Sequence, residues 1–144
     1  MNLDLTSLEK ALNQLKYGFE LYSGDASSNK DERARHHSQA GCVQEFEFTY
    51  ELSIKMMRRF ISLSGIVVAD TQMVFAEVIR EANKLDLLLG NVKVWDNYRK
   101  KRNITSHTYD EDKALEIIQI IPDFIADAEH LLAKLKEGVN RLKL

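Results

Sequence analysis

The chain has 144 residues, of which 44% are hydrophobic and 29% charged, with a net charge of −2 and a single cysteine, Cys42. That size suits one soluble domain with a substantial core, and no stretch approaches the about 18 apolar residues of a membrane span. A lone cysteine excludes an internal disulfide and a cysteine-based zinc cluster. The slightly acidic balance offers nucleic acid no global basic field, and the opening residues MNLDLTSLEK lack a signal-peptide pattern, so the expected compartment is the cytoplasm.

Leu5, Leu8, Leu12, Leu15, Phe19 and Tyr22 recur every three or four residues and predict an amphipathic helix, with Asp4 or Thr6 near its start. The polar run at 23–37 reads as a connector that turns into the next helix near Asp31 or Glu32. His36 and His37 point about 100° apart on a helix and read as surface histidines. From about 32 to 64 a long central helix is expected. Val43, Phe46, Tyr50, Ile54, Met57 and Ile61 form its stripe, and Leu52, Met56, Phe60 and Leu63 widen it. Cys42 reads as a small buried hydrophobe, and Glu47, Glu51 and Lys55 as an i, i+4 surface ladder.

Gly65 should end that helix. Asp70 should cap another over roughly 71–85, with Val74, Val78, Ile79, Ala82 and Leu85 inward, before a short apolar loop between Asp86 and Gly90. The final element, from Ala114 to Leu135, has the clearest apolar face, and Pro122 predicts a kink or two abutting helices near 120–122. Residues 137–144 are expected to fray. The pattern predicts one all-α domain over 1–144, an antiparallel up-and-down bundle of about five helices.

The chemistry gathers in 91–110, NVKVWDNYRKKRNITSHTYD. Trp95, Tyr98 and Arg102 share a helix face, and Arg99, Lys100, Lys101 and Arg102 make a local basic patch suited to a phosphate backbone. Arg102 and His107 are five apart, roughly 140° around a helix axis, so one straight helix does not bring them together. Either the helix ends before His107 or a second copy of the chain completes the pair. Ile104, Thr105, Thr108 and Asp110 favour an ending, and Thr108 with Glu111 has capping-box spacing. A histidine that titrates near neutrality and an always-charged arginine fork suit RNA cleavage without a metal or cofactor: the imidazole moves protons and the guanidinium holds phosphate oxygens. By spacing alone a solvated helix end is the favoured explanation of the pair.

The string RNITSHTY resembles the R-x4-H-x-Y signature of HEPN-fold toxins that are paired with minimal nucleotidyltransferase antitoxins. The segments VQEFEFTYELSIKMMRR (43–59), FAEVIREANKL (75–85) and the Trp95 helix match that group, also described as nucleotidyltransferase substrate-binding proteins, in order over roughly 40–136. Glu45 departs from it, because relatives commonly carry a basic residue there. The resemblance implies a HEPN-like bundle and a homodimer whose motifs face a shared cleft, with higher assemblies that include the antitoxin. It implies a metal-independent endoribonuclease in which His107 is general acid or base, Arg102 supports the phosphate and Asn103 orients the site. RNA and the cognate nucleotidyltransferase are the implied partners. Tyr109 is the implied acceptor of AMP, transferred by that partner from ATP with a divalent metal. The alternative is a non-catalytic substrate-binding subunit or helical adaptor of a minimal nucleotidyltransferase.

Overall fold

The computed structural model describes residues 2–28, 31–65, 73–107 and 109–144. Among them are five α-helices: α1 (Thr6–Ser28), α2 (Glu32–Leu63), α3 (Phe75–Lys84), α4 (Val92–Asn103) and α5 (Glu111–Leu142), with a 3-10 turn (Thr105–His107) between α4 and α5. The expected all-α, five-helix bundle is the observed architecture. Helix α2 is its centre and packs against each of the other four. That follows from its broad face: Val43, Phe46, Tyr50, Met56, Met57, Phe60 and Ile61 are all buried. Thr49 and Ser53 are buried as well, and their hydroxyls bond to carbonyls, Ser53 Oγ donating to Thr49 O at 2.8 Å. Small polar side chains satisfied this way let α1 and α2 approach closely.

Helix ends depart from expectation in physically simple ways. The polar run at 23–37 is mostly helix, because α1 continues to Ser28 and α2 starts at Glu32. The sharp boundary lies at Asp31, whose carboxylate accepts from Arg33 N–H at 3.0 Å. Helix α2 ends as predicted, with Gly65 left-handed at φ +81. Helix α3 begins at Phe75 with Val74 at its N-cap, and Val74 is exposed rather than inward. Asp70, the expected cap, lies outside the described residues. Helix α5 runs through Pro122 as one element, not two abutting ones.

The expected frayed tail is helical to Leu142. Gly138 is buried under the Phe60 ring, Val139 and Leu144 pack on the core, and Lys136 pairs with Glu9 of α1 at 2.8 Å. No helix among the described residues is long and apolar enough to cross a membrane.

Candidate active site at the end of the fourth helix

Asn91 starts α4 by accepting from Val94 N–H at 3.2 Å, and the helix then lays Trp95 and Tyr98 into the core. Both are buried among Tyr50 and Phe124, with Trp95 edge-on to Tyr98 at 5.2 Å. The Tyr98 hydroxyl donates to Asp127. Burial, and then that hydrogen bond, raises its pKa. The Trp95–Tyr98 face therefore packs within its own chain. Among the described residues the Trp95 indole N–H has no acceptor.

Arg102 is next on this face, at the rim of the core. Its guanidinium reaches α2 and donates from Nε to Glu51 Oε1 at 3.0 Å and from Nη2 to the same oxygen, with Glu47 Oε2 3.7 Å away. The Glu51 hydrogen bond raises the arginine's pKa further, so it is fixed as a cation. The predicted ladder of Glu47, Glu51 and Lys55 is thus replaced by a cross-helix arrangement in which both carboxylates turn to Arg102. Glu47 also meets the next element: the Thr105 hydroxyl lies 2.5 Å from Glu47 Oε2 and 2.8 Å from the Arg102 carbonyl. One hydroxyl proton is shared between two acceptors, and the 3-10 turn is tied to α2 through it.

Helix α4 does end before His107. Ile104 is its C-cap, His107 N–H donates to Ile104 O, and Asp110 N–H donates to His107 O, both at 3.0 Å. Asp110 caps α5 by accepting from Asp112 N–H. Thr108, the other predicted cap, lies outside the described residues. His107 is exposed on the turn. Tyr109 is 87% exposed, with its ring 6.1 Å from the imidazole, so it is not held by packing within this chain.

The predicted residues thus fall into two neighbouring groups. His107 and Tyr109 share the turn. Arg99, Arg102 and Asn103 line an open cleft of about 330 Å³ between α2, α3 and α4. The hydrogen bonds of Arg102 run to Glu51 and not to His107. Of the other cations in the basic run, Lys100 pairs with Asp96 at 3.2 Å and Lys101 is half-buried. The periodicity of the sequence did not point to Arg58 or Phe75, which complete the cleft. Among the described residues, no three His, Cys, Asp or Glu side chains are grouped to hold a metal ion.

The model of the family described as "Nucleotidyltransferase substrate binding protein like" matches residues 3–137. A Haemophilus influenzae protein named "Probable ribonuclease HepT" is 42% identical over 99 residues, covering 68% of this chain and 67% of that protein. A solved Haemophilus influenzae structure, described as revealing the fold of a substrate-binding domain of a nucleotidyltransferase, superposes with a TM-score of 0.82 at 34% identity. It covers 92% of this chain and 99% of its own.

Proposed function

Because the chain belongs to the nucleotidyltransferase substrate-binding protein-like family, we propose that it is the toxin of a HEPN-type toxin–antitoxin pair: a metal-independent endoribonuclease silenced by its partner nucleotidyltransferase. The observation that carries this reading is the end of α4. There the Arg102 guanidinium already donates two N–H groups to an anionic oxygen, that of Glu51, one short turn before an exposed histidine. A similar protein bears the name of a ribonuclease.

In the proposed reaction the RNA 2′-oxygen bonds to phosphorus, the P–O5′ bond breaks, and a 2′,3′-cyclic phosphate forms. Arg102 stabilises charge on the non-bridging oxygens. His107 takes the 2′ proton or delivers one to O5′, and Asn103 orients the phosphate. Two copies of the chain facing one another would supply two His107 side chains, one for each proton. The Arg99, Lys100 and Lys101 side chains extend the grip along the strand. Silencing would occur at Tyr109: its phenolic oxygen attacks the α-phosphorus of ATP, pyrophosphate leaves, and the adduct places a phosphate beside His107. The tyrosine's exposure supports access by a partner enzyme.

The test is cleavage of RNA in EDTA, with identification of a cyclic phosphate end and loss of activity in His107→Ala. Full activity in that variant would refute the assignment. A strictly monomeric mass at micromolar concentration would refute the dimer. The second reading is a non-catalytic substrate-binding subunit, favoured by the description attached to the superposed structure. It predicts binding to the nucleotidyltransferase with no RNA cleavage.

A further inference from the structure

We propose that Glu47 is a positioning residue of the ribonuclease site: its carboxylate holds the Thr105 hydroxyl beside the Arg102 guanidinium and so fixes the turn that carries His107 relative to Arg102. The inference rests on the ribonuclease reading. It gives a role to two residues, Glu47 and Thr105, that the R-x4-H-x-Y signature leaves unspecified.

Arg102 and His107 stand on different elements. Arg102 lies in the last turn of α4, and His107 closes the 3-10 turn. The backbone bonds between them are local: Ile104 N–H donates to Lys101 O at 3.2 Å and His107 N–H to Ile104 O at 3.0 Å. Bonds of this kind shape the turn and leave its orientation on the bundle to side chains. Two side chains at this junction reach the bundle. Ile104 packs on the core, and Thr105 hydrogen-bonds to Glu47 of α2. Apolar packing is non-directional, whereas a hydroxyl on a carboxylate has a preferred distance and angle, so Ile104 sets the depth of the turn and Thr105 its orientation. One atom, Glu47 Oε2, lies 2.5 Å from Thr105 Oγ1 and 3.7 Å from Arg102 Nη2. It therefore faces both halves of the site, the guanidinium and the turn that bears the imidazole. Glu47 stands on a rigid stretch of α2. Its neighbour Phe46 is fully buried, edge-on to Phe124 at 5.0 Å, and Tyr50 packs on Trp95 at 6.4 Å. Glu51 acts differently, because it accepts from the Arg102 N–H groups that a phosphate would use. A phosphodiester that displaces Glu51 leaves the Glu47–Thr105 bond in place, and the turn keeps its position when RNA is bound. A general acid or base has to meet its proton within hydrogen-bond reach, so a loosened turn slows the chemical step more than it weakens binding.

The test compares three variants of the full chain in cleavage of a single-stranded RNA oligonucleotide. Thr105→Val keeps the branched shape and removes the hydroxyl, Thr105→Ser keeps the hydroxyl, and Glu47→Ala removes the carboxylate. In Thr105→Val and Glu47→Ala kcat should fall about tenfold, with KM rising by no more than about twofold, and Thr105→Ser should stay within about twofold of the wild type. Adding Thr105→Val to Glu47→Ala should cost less than about twofold more. Exchange of the His107 and Asp110 amide hydrogens should speed up about fivefold in both variants while the amides of α1 keep their wild-type rates, a readout independent of cleavage. Should Thr105→Val fold poorly, Thr105→Ala carries the same comparison. Multiplying effects in the double variant, a loss confined to KM, or a Thr105→Ser as slow as Thr105→Val would each overturn the positioning role. If the wild type cleaves no RNA, the ribonuclease reading falls and this role falls with it. Cleavage that neither Thr105→Val nor Glu47→Ala slows overturns the positioning role alone.

Discussion

Replacing Glu51 with glutamine should tighten RNA binding. In the free chain the Arg102 fork is filled by Glu51, so a phosphodiester must displace that carboxylate before it takes the same N–H groups. The displacement cost follows from exposure. The two side chains are 35% and 49% accessible, so water screens the pair, and it is worth about 0.2–1 kcal/mol. Removing that competition should improve phosphate affinity by about 1.4- to 5-fold. Glutamine is the appropriate change because its carbonyl oxygen still accepts from Arg102, which keeps the guanidinium oriented while the competing charge disappears. The assay is anisotropy with a non-cleavable single-stranded RNA, measured at several salt concentrations. The gain should be largest at low salt and should shrink as the Debye length falls to about 8 Å near 0.15 M. Repeating the change in an Arg102→Gln background isolates the pair, and there the gain should vanish. Weaker binding by Glu51→Gln would refute the argument, since it would mean that the carboxylate holds the arginine in its binding geometry. An equal gain without Arg102 would refute it too, by reducing the effect to generic charge removal.

His107 is exposed, so His107→Ala should abolish RNA cleavage while leaving the melting temperature within about 1–2 °C of the wild type, checked by gel assay and circular dichroism. Tyr109→Phe should cleave RNA yet take up no AMP from ATP and the partner, as read by peptide mass spectrometry; wild-type modification in this variant would move the acceptor elsewhere. Gly138→Ala and Gly18→Ala should shift thermal stability in opposite directions. A Cβ at 138 would lie 2.6 Å from Cε2 of the fully buried Phe60, an overpacking cost of about 1–3 kcal/mol that outweighs a helix-propensity gain of about 1 kcal/mol. At 18 the obstacle is the end of the flexible Glu45 side chain, which swings aside, so the propensity gain raises the melting temperature by about 2–4 °C. Burial pushes the Cys42 thiol up to about 12. Above pH ~9 the unfolded chain ionises this thiol and the folded chain does not, so its contribution to stability is lost between about pH 9 and 12. Cys42→Ala should flatten that part of the stability–pH curve measured by chemical denaturation.

The long helices were legible because each carries its own period. The stripes of α1, α2 and α5 recur every three or four residues over many turns, and the residues named from that pattern are mostly buried. Boundaries were harder wherever polarity was taken for irregularity. Ser23 to Ser28 extends α1 without an apolar face, and the tail of α5 is held by Gly138 and Val139, whose value depends on Phe60 and on the rest of the core. At the candidate site, the break between Arg102 and His107 was readable from β-branched and capping residues. The partners of Arg102 were not. Glu51 is 51 positions away in the chain, and its spacing to Lys55 satisfies a local rule equally well, so only the packing of Tyr50 on Trp95 brings α2 and α4 into the register that redirects both carboxylates. Arg58 was hidden for the same reason: on a helix surface one arginine looks like any other until α4 and Phe75 arrive beside it.

That register also explains why so many cations end one helix. Anion binding near the end of α4 works against the helix dipole, whose negative end lies at Asn103 and Ile104. Lys100, Lys101 and Arg102 in the last turn offset it, and the carboxylates of Glu47 and Glu51 offset part of the cations in return. The result is a site in which several charges of both signs are nearly balanced while the chain is alone, so a small change in one of them alters which anion occupies Arg102. Tyr109 lies just beyond, immediately before Asp110 caps α5, where the positive end of a second dipole tolerates an added phosphate. The stretch from Arg102 to Asp110 is therefore a junction between two opposed helix ends. In the proposed silencing, a phosphate attached to Tyr109 would compete with a phosphate from RNA for the positive groups of this junction. Competition for those groups gives the proposed silencing a direct electrostatic basis that requires no rearrangement of the bundle.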